Sequence, residues 1–134
     1  MVWRNWIAGL TLLIWLCASQ AQATGRNWTA RWTDAEVDAL GYALAEAWTH
    51  GLDPSAYPHP DALRALPYGE SRDERARAVW FALAEDLAFG VVDPRALDPD
   101  WTAPIEDVDL LTVYAEAREG AGIYESLEAL APSH

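Results

Sequence analysis

The sequence predicts an all-α fold: a small irregular or orthogonal bundle of about four to five helices with Pro-rich loops, behind an N-terminal signal peptide. Three observations predict it. Apolar residues recur at helical spacing in three long stretches, while no run alternates at period two, so no strand is expected. Capping residues open these stretches, and glycine followed by Asp-Pro closes two of them. Loops of uneven length separate them, which argues against a simple up-and-down bundle.

The chain begins with Arg4 and an uncharged apolar run over residues 7–17, followed by Ala21-Gln22-Ala23, an A-x-A cleavage signal. The run has 11 residues, short of the ~20 that span a bilayer, and small polar residues follow at once. The expectation is a signal peptide over 1–23, cut after Ala23 with Ala21 as second choice, rather than a permanent anchor. Lipid attachment at Cys17 is disfavoured by the bulky Leu16 before it. The expected product is periplasmic and meets the membrane only transiently, through the signal.

Residues 24–32 form a polar, Trp-bearing stretch, expected to be a flexible lead-in to a helical domain over 33–134. Thr33 is placed as N-cap of the first helix, with Glu36 completing a capping box. Val37, Leu40, Leu44 and Trp48, with Gly41 and Ala47, make one apolar stripe. Gly51 is the expected left-handed stop, Leu52 folds back on the last turn, and Asp53-Pro54 prevents continuation. Among the prolines that follow, residues 61–66 allow a helical turn or two. Ser71 and Glu74 predict a second capping box, opening a helix with Ala76, Val79, Trp80, Leu83, Leu87 and Ala88 on its buried face. Gly90 is expected to stop it and Val91 to fold back, before the loop over 92–101. Pro104 is the expected start of a third helix, with Glu106, Asp107 and Asp109 in its acidic first turn. Its stripe is Ile105, Val108, Leu111 and Ala115, and Gly120 ends it. A last helix covers about 122–130, ahead of Pro132. The two Gly-to-Asp-Pro stops resemble a repeat, but glycine and proline terminate helices so commonly that shared stop chemistry suffices.

Cleavage after Ala23 leaves 111 residues, eight of the nine arginines, all 21 acidic residues and no cysteine, for a formal charge of −13. There is no lysine anywhere. Without cysteine, stability must come from packing, and no thiolate chemistry is available. Such a charge disfavours nucleic acid and anionic lipid, which are bound through cationic clusters. It suits solubility at high salt or a cationic partner, and equally a GC-rich or salt-adapted source.

Several runs carry a resemblance. His50-Gly51-Leu52-Asp53-Pro54-Ser55-Ala56-Tyr57 closes one helix, and Asp86-Leu87-Ala88-Phe89-Gly90-Val91-Val92-Asp93-Pro94-Arg95-Ala96-Leu97 closes another, followed by Asp100-Trp101. Asp109-Leu110-Leu111 and Leu127-Glu128-Ala129-Leu130-Ala131-Pro132-Ser133-His134 complete the set. Over residues 33–134 the chain resembles the helical scaffold domain near the N-terminus of large periplasmic L,D-transpeptidases, which cross-link peptidoglycan stems. The G-x-V-D-P-R run with its downstream Trp is the most specific part. The family's catalytic domain carries a His and a Ser-x-Gly-Cys motif with the attacking cysteine. No residue here matches that motif, so the chain is expected to be an isolated scaffold domain and not an enzyme. The family often has a basic residue after the helix-ending glycine, where this chain has Val91.

Candidate sites follow from residue types. His50, His59 and His134 are scattered along the chain, whereas zinc needs three or four convergent ligands. Asp93, Asp98 and Asp100 share one loop, but prolines stand where a calcium loop has its glycine turn. Glu85 with Asp86, Asp107 with Asp109, and Glu125 with Glu128 are neighbours in sequence rather than carboxylates facing each other across a glycosidase cleft. No metal or other cofactor is expected. Trp48 and Trp80 read as core; Tyr57 and Trp101, after Asp-Pro turns, either stack on a sugar or partner or fold back on the core. Arg95 is expected to pair with Asp93 and Asp98. The candidate binding surface is a two-loop face of Asp53, Tyr57, Asp93, Arg95, Asp98 and Trp101.

The resemblance implies an exported, non-catalytic domain that positions peptidoglycan-processing machinery or contacts peptidoglycan. An interaction protein that docks to a separate transpeptidase predicts an exposed apolar patch. A remnant of a longer transpeptidase gene and a small peptidoglycan hydrolase are the alternatives.

Overall fold

A computed structural model of the chain describes residues 30–100, 102 and 107–132. The expected signal segment, residues 24–29, Trp101, Pro104, Ile105, Glu106 and His134 lie outside the described residues.

The first helix, α1 (Asp34–Glu46), starts as predicted: the Thr33 hydroxyl accepts from the Glu36 N–H, and the Glu36 carboxylate accepts from the Thr33 N–H at 2.8 Å. Val37, Leu40, Gly41, Ala43 and Leu44 are buried. Beyond Glu46 the chain tightens into a 3₁₀ turn, Ala47–His50. Its three residues per turn rotate the stripe away from the α-helical phase. Ala47 therefore takes the buried position, and Trp48, expected in the core, is 65% exposed. Gly51 sits in the left-handed region at φ 77°, donating to the Trp48 carbonyl, while Leu52 donates to the Ala47 carbonyl and is buried. These paired bonds form a Schellman stop, as the sequence predicts.

Asp53 caps a short 3₁₀ turn, Pro54–Ala56, and His59 caps α2 (Pro60–Arg64) through its ring Nδ1, which accepts the Asp61 N–H. The missing Gly41 side chain lets α2 approach α1: a Cβ built there would lie 3.2 Å from the Pro60 Cβ.

The longest helix, α3 (Glu70–Phe89), begins two residues earlier than predicted, with Gly69 rather than Ser71 at its N-cap; the Asp73 N–H already bonds the Gly69 carbonyl. Its opening is set by tertiary contacts rather than by a serine cap, because Arg72 and Asp73 are buried against the segment before α1. Ala76, Val79, Trp80, Leu83, Ala84 and Leu87 are buried, while Ala88 is only half-buried. Gly90 ends α3, but Val91 is 67% exposed and makes no fold-back contact with the last turn, because the Gly90 backbone (φ 79°, ψ 161°) extends away from the helix. A further turn not foreseen in the loop, α4 (Pro94–Leu97), is capped by Asp93.

The next helix, α5 (Leu110–Glu116), starts later than Pro104 because the Asp109 carboxylate captures the N–H groups of Leu111 and Thr112; Asp107 and Val108 are not helical. Its inward side chain is Tyr114, and Leu111, expected to face the core, is 54% exposed. A wide turn, Ala117–Ala121, with Gly120 at φ 143°, leads into α6 (Ile123–Leu130). The described residues thus carry six α-helices, more than expected because two are short proline-initiated turns, and no strand.

The core joins α1, α3, α5 and α6 around Trp32, Leu40, Trp80, Leu83, Tyr114 and Leu127. Trp32, at the end of the stretch expected to be a flexible lead-in, is fully buried. Its indole donates to the Tyr114 hydroxyl at 3.3 Å, and Trp80 meets Tyr114 edge-on at 5.0 Å between centroids. Charges hold the segment in place: Asp73 accepts from the Trp32 N–H and pairs with Arg31, Arg72 donates to the Trp32 carbonyl, and Arg118 donates to the Ala30 carbonyl while pairing with Glu36. Arg118 also lies over the Trp32 ring.

Candidate functional site

The first loop of the candidate face leaves the C-terminal stop at Gly51 and the second the C-terminal end of α3 at Gly90, and one hydrogen bond brings the first loop to the last turn of α3. The Tyr57 ring packs on the core and its hydroxyl donates to Asp86, on the last full turn of α3. Of the two roles open to Tyr57, it takes the structural one. Burial and the Asp86 carboxylate both raise the pKa of this phenol above its ordinary value. Asp53 accepts the Ser55 N–H at 2.9 Å, and the bonds from Ser55 hold its carboxyl below the usual range.

In the second loop, Asp93 accepts the Arg95 N–H at 2.9 Å and Asp98 accepts the Asp100 N–H at 3.0 Å. These carboxylates serve their own turns, as Asx residues do. The Arg95 guanidinium makes no ion pair with a described residue, so the expected pairing with Asp93 and Asp98 is not formed. No hydrogen bond among the described residues joins Asp53 to Asp93, Arg95 or Asp98. Trp101 lies outside the described residues.

What this end of the molecule does present is apolar. Phe89, Val91, Val92 and Leu97 are 37%, 67%, 55% and 77% exposed in a single run of chain from the end of α3 through α4. Isolated exposed apolar residues are ordinary, but four within nine consecutive positions mark this stretch as a candidate contact surface. The sequence signal was the valine pair after Gly90, which reads as a fold-back contact until the Gly90 backbone is known.

Two of the remaining titratable candidates, His50 and Glu128, engage each other. His50 Nε2 lies 2.9 Å from the Glu128 carboxylate, tying the end of α1 to α6. Beside it, Glu46 accepts from the Tyr124 hydroxyl at 2.8 Å, and Tyr42 packs edge-on against Tyr124. Glu46 is the main cause that pushes the Tyr124 pKa up to about 12 and also raises that of Tyr42. No group of three or more His, Cys, Asp or Glu among the described residues is placed to hold a metal ion.

A concave feature lies at the other end of α3. Pro58, Ala62, Leu63 and Leu66 line an open cleft of about 400 Å³, with Ser71 and Arg75 from α3 on its edge. Nothing in the sequence pointed to it, because its lining comes from two loops and two helices.

The sequence profile of a family described as a scaffold domain matches residues 24–134. No curated protein and no solved structure proved similar.

Proposed function

The chain belongs to the L,D-transpeptidase scaffold-domain family, the non-catalytic helical domain of those enzymes, and from that premise we propose that it is an exported docking module that positions peptidoglycan cross-linking machinery in the periplasm. The observation that carries this reading is the exposed apolar run Phe89, Val91, Val92 and Leu97 at the end of α3. In a domain with a core this small, leaving four large apolar side chains in water costs about 25 cal/mol for each Å² that a partner could cover. The partner proposed is the catalytic part of an L,D-transpeptidase. Asp93 lies within the run in sequence and Asp98 and Asp100 follow it, which favours a partner surface carrying cationic groups.

Direct contact with peptidoglycan is the second reading, and the exposed Trp48 and Tyr42 supply aromatic faces of the kind that stack on sugars. Co-sedimentation separates the two. Docking predicts that the protein stays in the supernatant with purified sacculi alone and pellets with them when a peptidoglycan-bound L,D-transpeptidase is added. Pelleting with bare sacculi at low salt supports wall contact instead.

A further inference from the structure

We propose that the cleft between α2 and the start of α3 binds the end of a short peptide, with small apolar side chains against Pro58, Ala62, Leu63 and Leu66 and its terminal carboxylate on Arg75. This goes beyond the docking reading and rests on different residues, about 20 Å along α3 from Phe89 at 1.5 Å per residue.

Three observations support it. The open cleft of about 400 Å³ is lined mainly by apolar groups. That volume is at the lower end of the ~300–1,000 Å³ typical of small-ligand sites, so it accommodates a chain end and not a folded element. Secondly, Arg75 is an unpaired cation in an acidic protein. Arg31, Arg64, Arg72 and Arg118 each pair with a carboxylate, and Arg77 has a partner too, whereas the Arg75 guanidinium makes no ion pair with a described residue. With 21 acidic residues against nine basic ones, a guanidinium left open beside an apolar cleft gives that cleft a sign opposite to the chain's. Thirdly, Ser71 and Arg75 are four residues apart on one face of α3, so a hydroxyl and a guanidinium reach the same edge. They stand in the first turns of a 20-residue helix, where the backbone dipole also favours negative charge. A guanidinium recognises a carboxylate through two parallel hydrogen bonds, which fixes the orientation of a chain end.

The test titrates the purified protein with N-acetyl-trialanine bearing either a free C-terminal carboxylate or an amide, and with butyrate as a carboxylate lacking a peptide, following the methyl signals of Leu63 and Leu66 by NMR. The expected result is saturable binding of the acid, at least tenfold weaker binding of the amide and of butyrate, and a similar loss in Arg75→Gln. Arg95→Gln, which removes the other arginine without an ion pair among the described residues, leaves binding unchanged. Because Arg75 is exposed, its replacement leaves the fold intact, and the spectrum itself verifies this. Equal binding of acid and amide overturns the carboxylate assignment, and equal binding of butyrate overturns the apolar one. No shift at Leu63 or Leu66 up to tens of millimolar peptide, or an equal loss in Arg95→Gln, overturns the site. Val91→Asp, which tests docking at the far end of α3, leaves the peptide titration unaltered, so the two readings fail separately.

Discussion

Trp32 and Trp48 show how little a residue's type says about its place. Trp32 follows a polar stretch and is fully buried; Trp48 continues an apolar stripe and is largely exposed. Truncating Trp32 to Ala is expected to cost about 3–5 kcal/mol, in the range for large aromatic core residues, while Trp48→Ala stays within about 0.5 kcal/mol, as for a surface substitution. Urea unfolding of the two variants measures both. Trp80 adds a separate lesson: its indole N–H finds no acceptor among the described residues, although the ring is fully buried. Trp80→Phe therefore loses volume but no hydrogen bond, and ranks well below Trp80→Ala in cost. The tyrosines carry a pH dependence. In the folded protein Tyr57 and Tyr124 hold their protons more tightly than in the unfolded chain, where a phenol titrates near 10. Above that pH the folded state binds more protons than the unfolded one, so stability falls as pH rises. For Tyr124 the loss runs from pH ~10 to about 12. Tyr57→Phe and Tyr124→Phe are expected to flatten the decline in Tm above pH 10, and an unchanged slope in both would contradict these contacts. Sequence reasoning identified Tyr57 as poised between two roles but could not choose, since Asp86 is brought to it only by packing.

At the scale of elements, local signals were reliable where the backbone alone decides. The Thr33 capping box and the Gly51 stop use side chain and conformational preferences of adjacent residues, and both stand as read. At Gly51 an added Cβ meets nothing within 4 Å, so Gly51→Ala isolates the backbone term. It is expected to cost about 1–2 kcal/mol, the penalty of a left-handed L-residue, and differential scanning calorimetry reads it as a lowered Tm. A neutral result would mean that the turn relaxes out of the left-handed region. The signals that failed did so where long-range contacts or rival caps intervene. Ser71 lost to an earlier start because Arg72 and Asp73 are drawn onto the Trp32 segment. Pro104 lost the start of α5 to Asp109, whose carboxylate caps two N–H groups. Val91 does not cover the end of α3, because Gly90 extends the chain rather than turning it back. The same departure turns an expected helix-stop contact into the surface on which the functional reading depends.

For the whole molecule, an all-helical domain of the scaffold family has a closed aromatic core and two features at opposite ends of its longest helix. The all-α class was legible from periodicity and capping; the family was legible from the two Asp-Pro stops and the runs around them. The cleft and the apolar run were not, because both depend on which side chains the packing leaves uncovered. In the proposed docking role the exposed Phe89–Leu97 run is the contact element, and complementary charge would steer a cationic partner toward the acidic chain. Its most direct test is a calorimetric titration of the purified protein with the catalytic domain of an L,D-transpeptidase from the same cells, repeated with Val91→Asp and Leu97→Asp together. Saturable binding by the unaltered protein, weakened at least tenfold by the paired substitutions without loss of helical signal, is the predicted result. Undiminished binding by the doubly substituted protein, or no heat of binding from the unaltered one, would contradict the docking role.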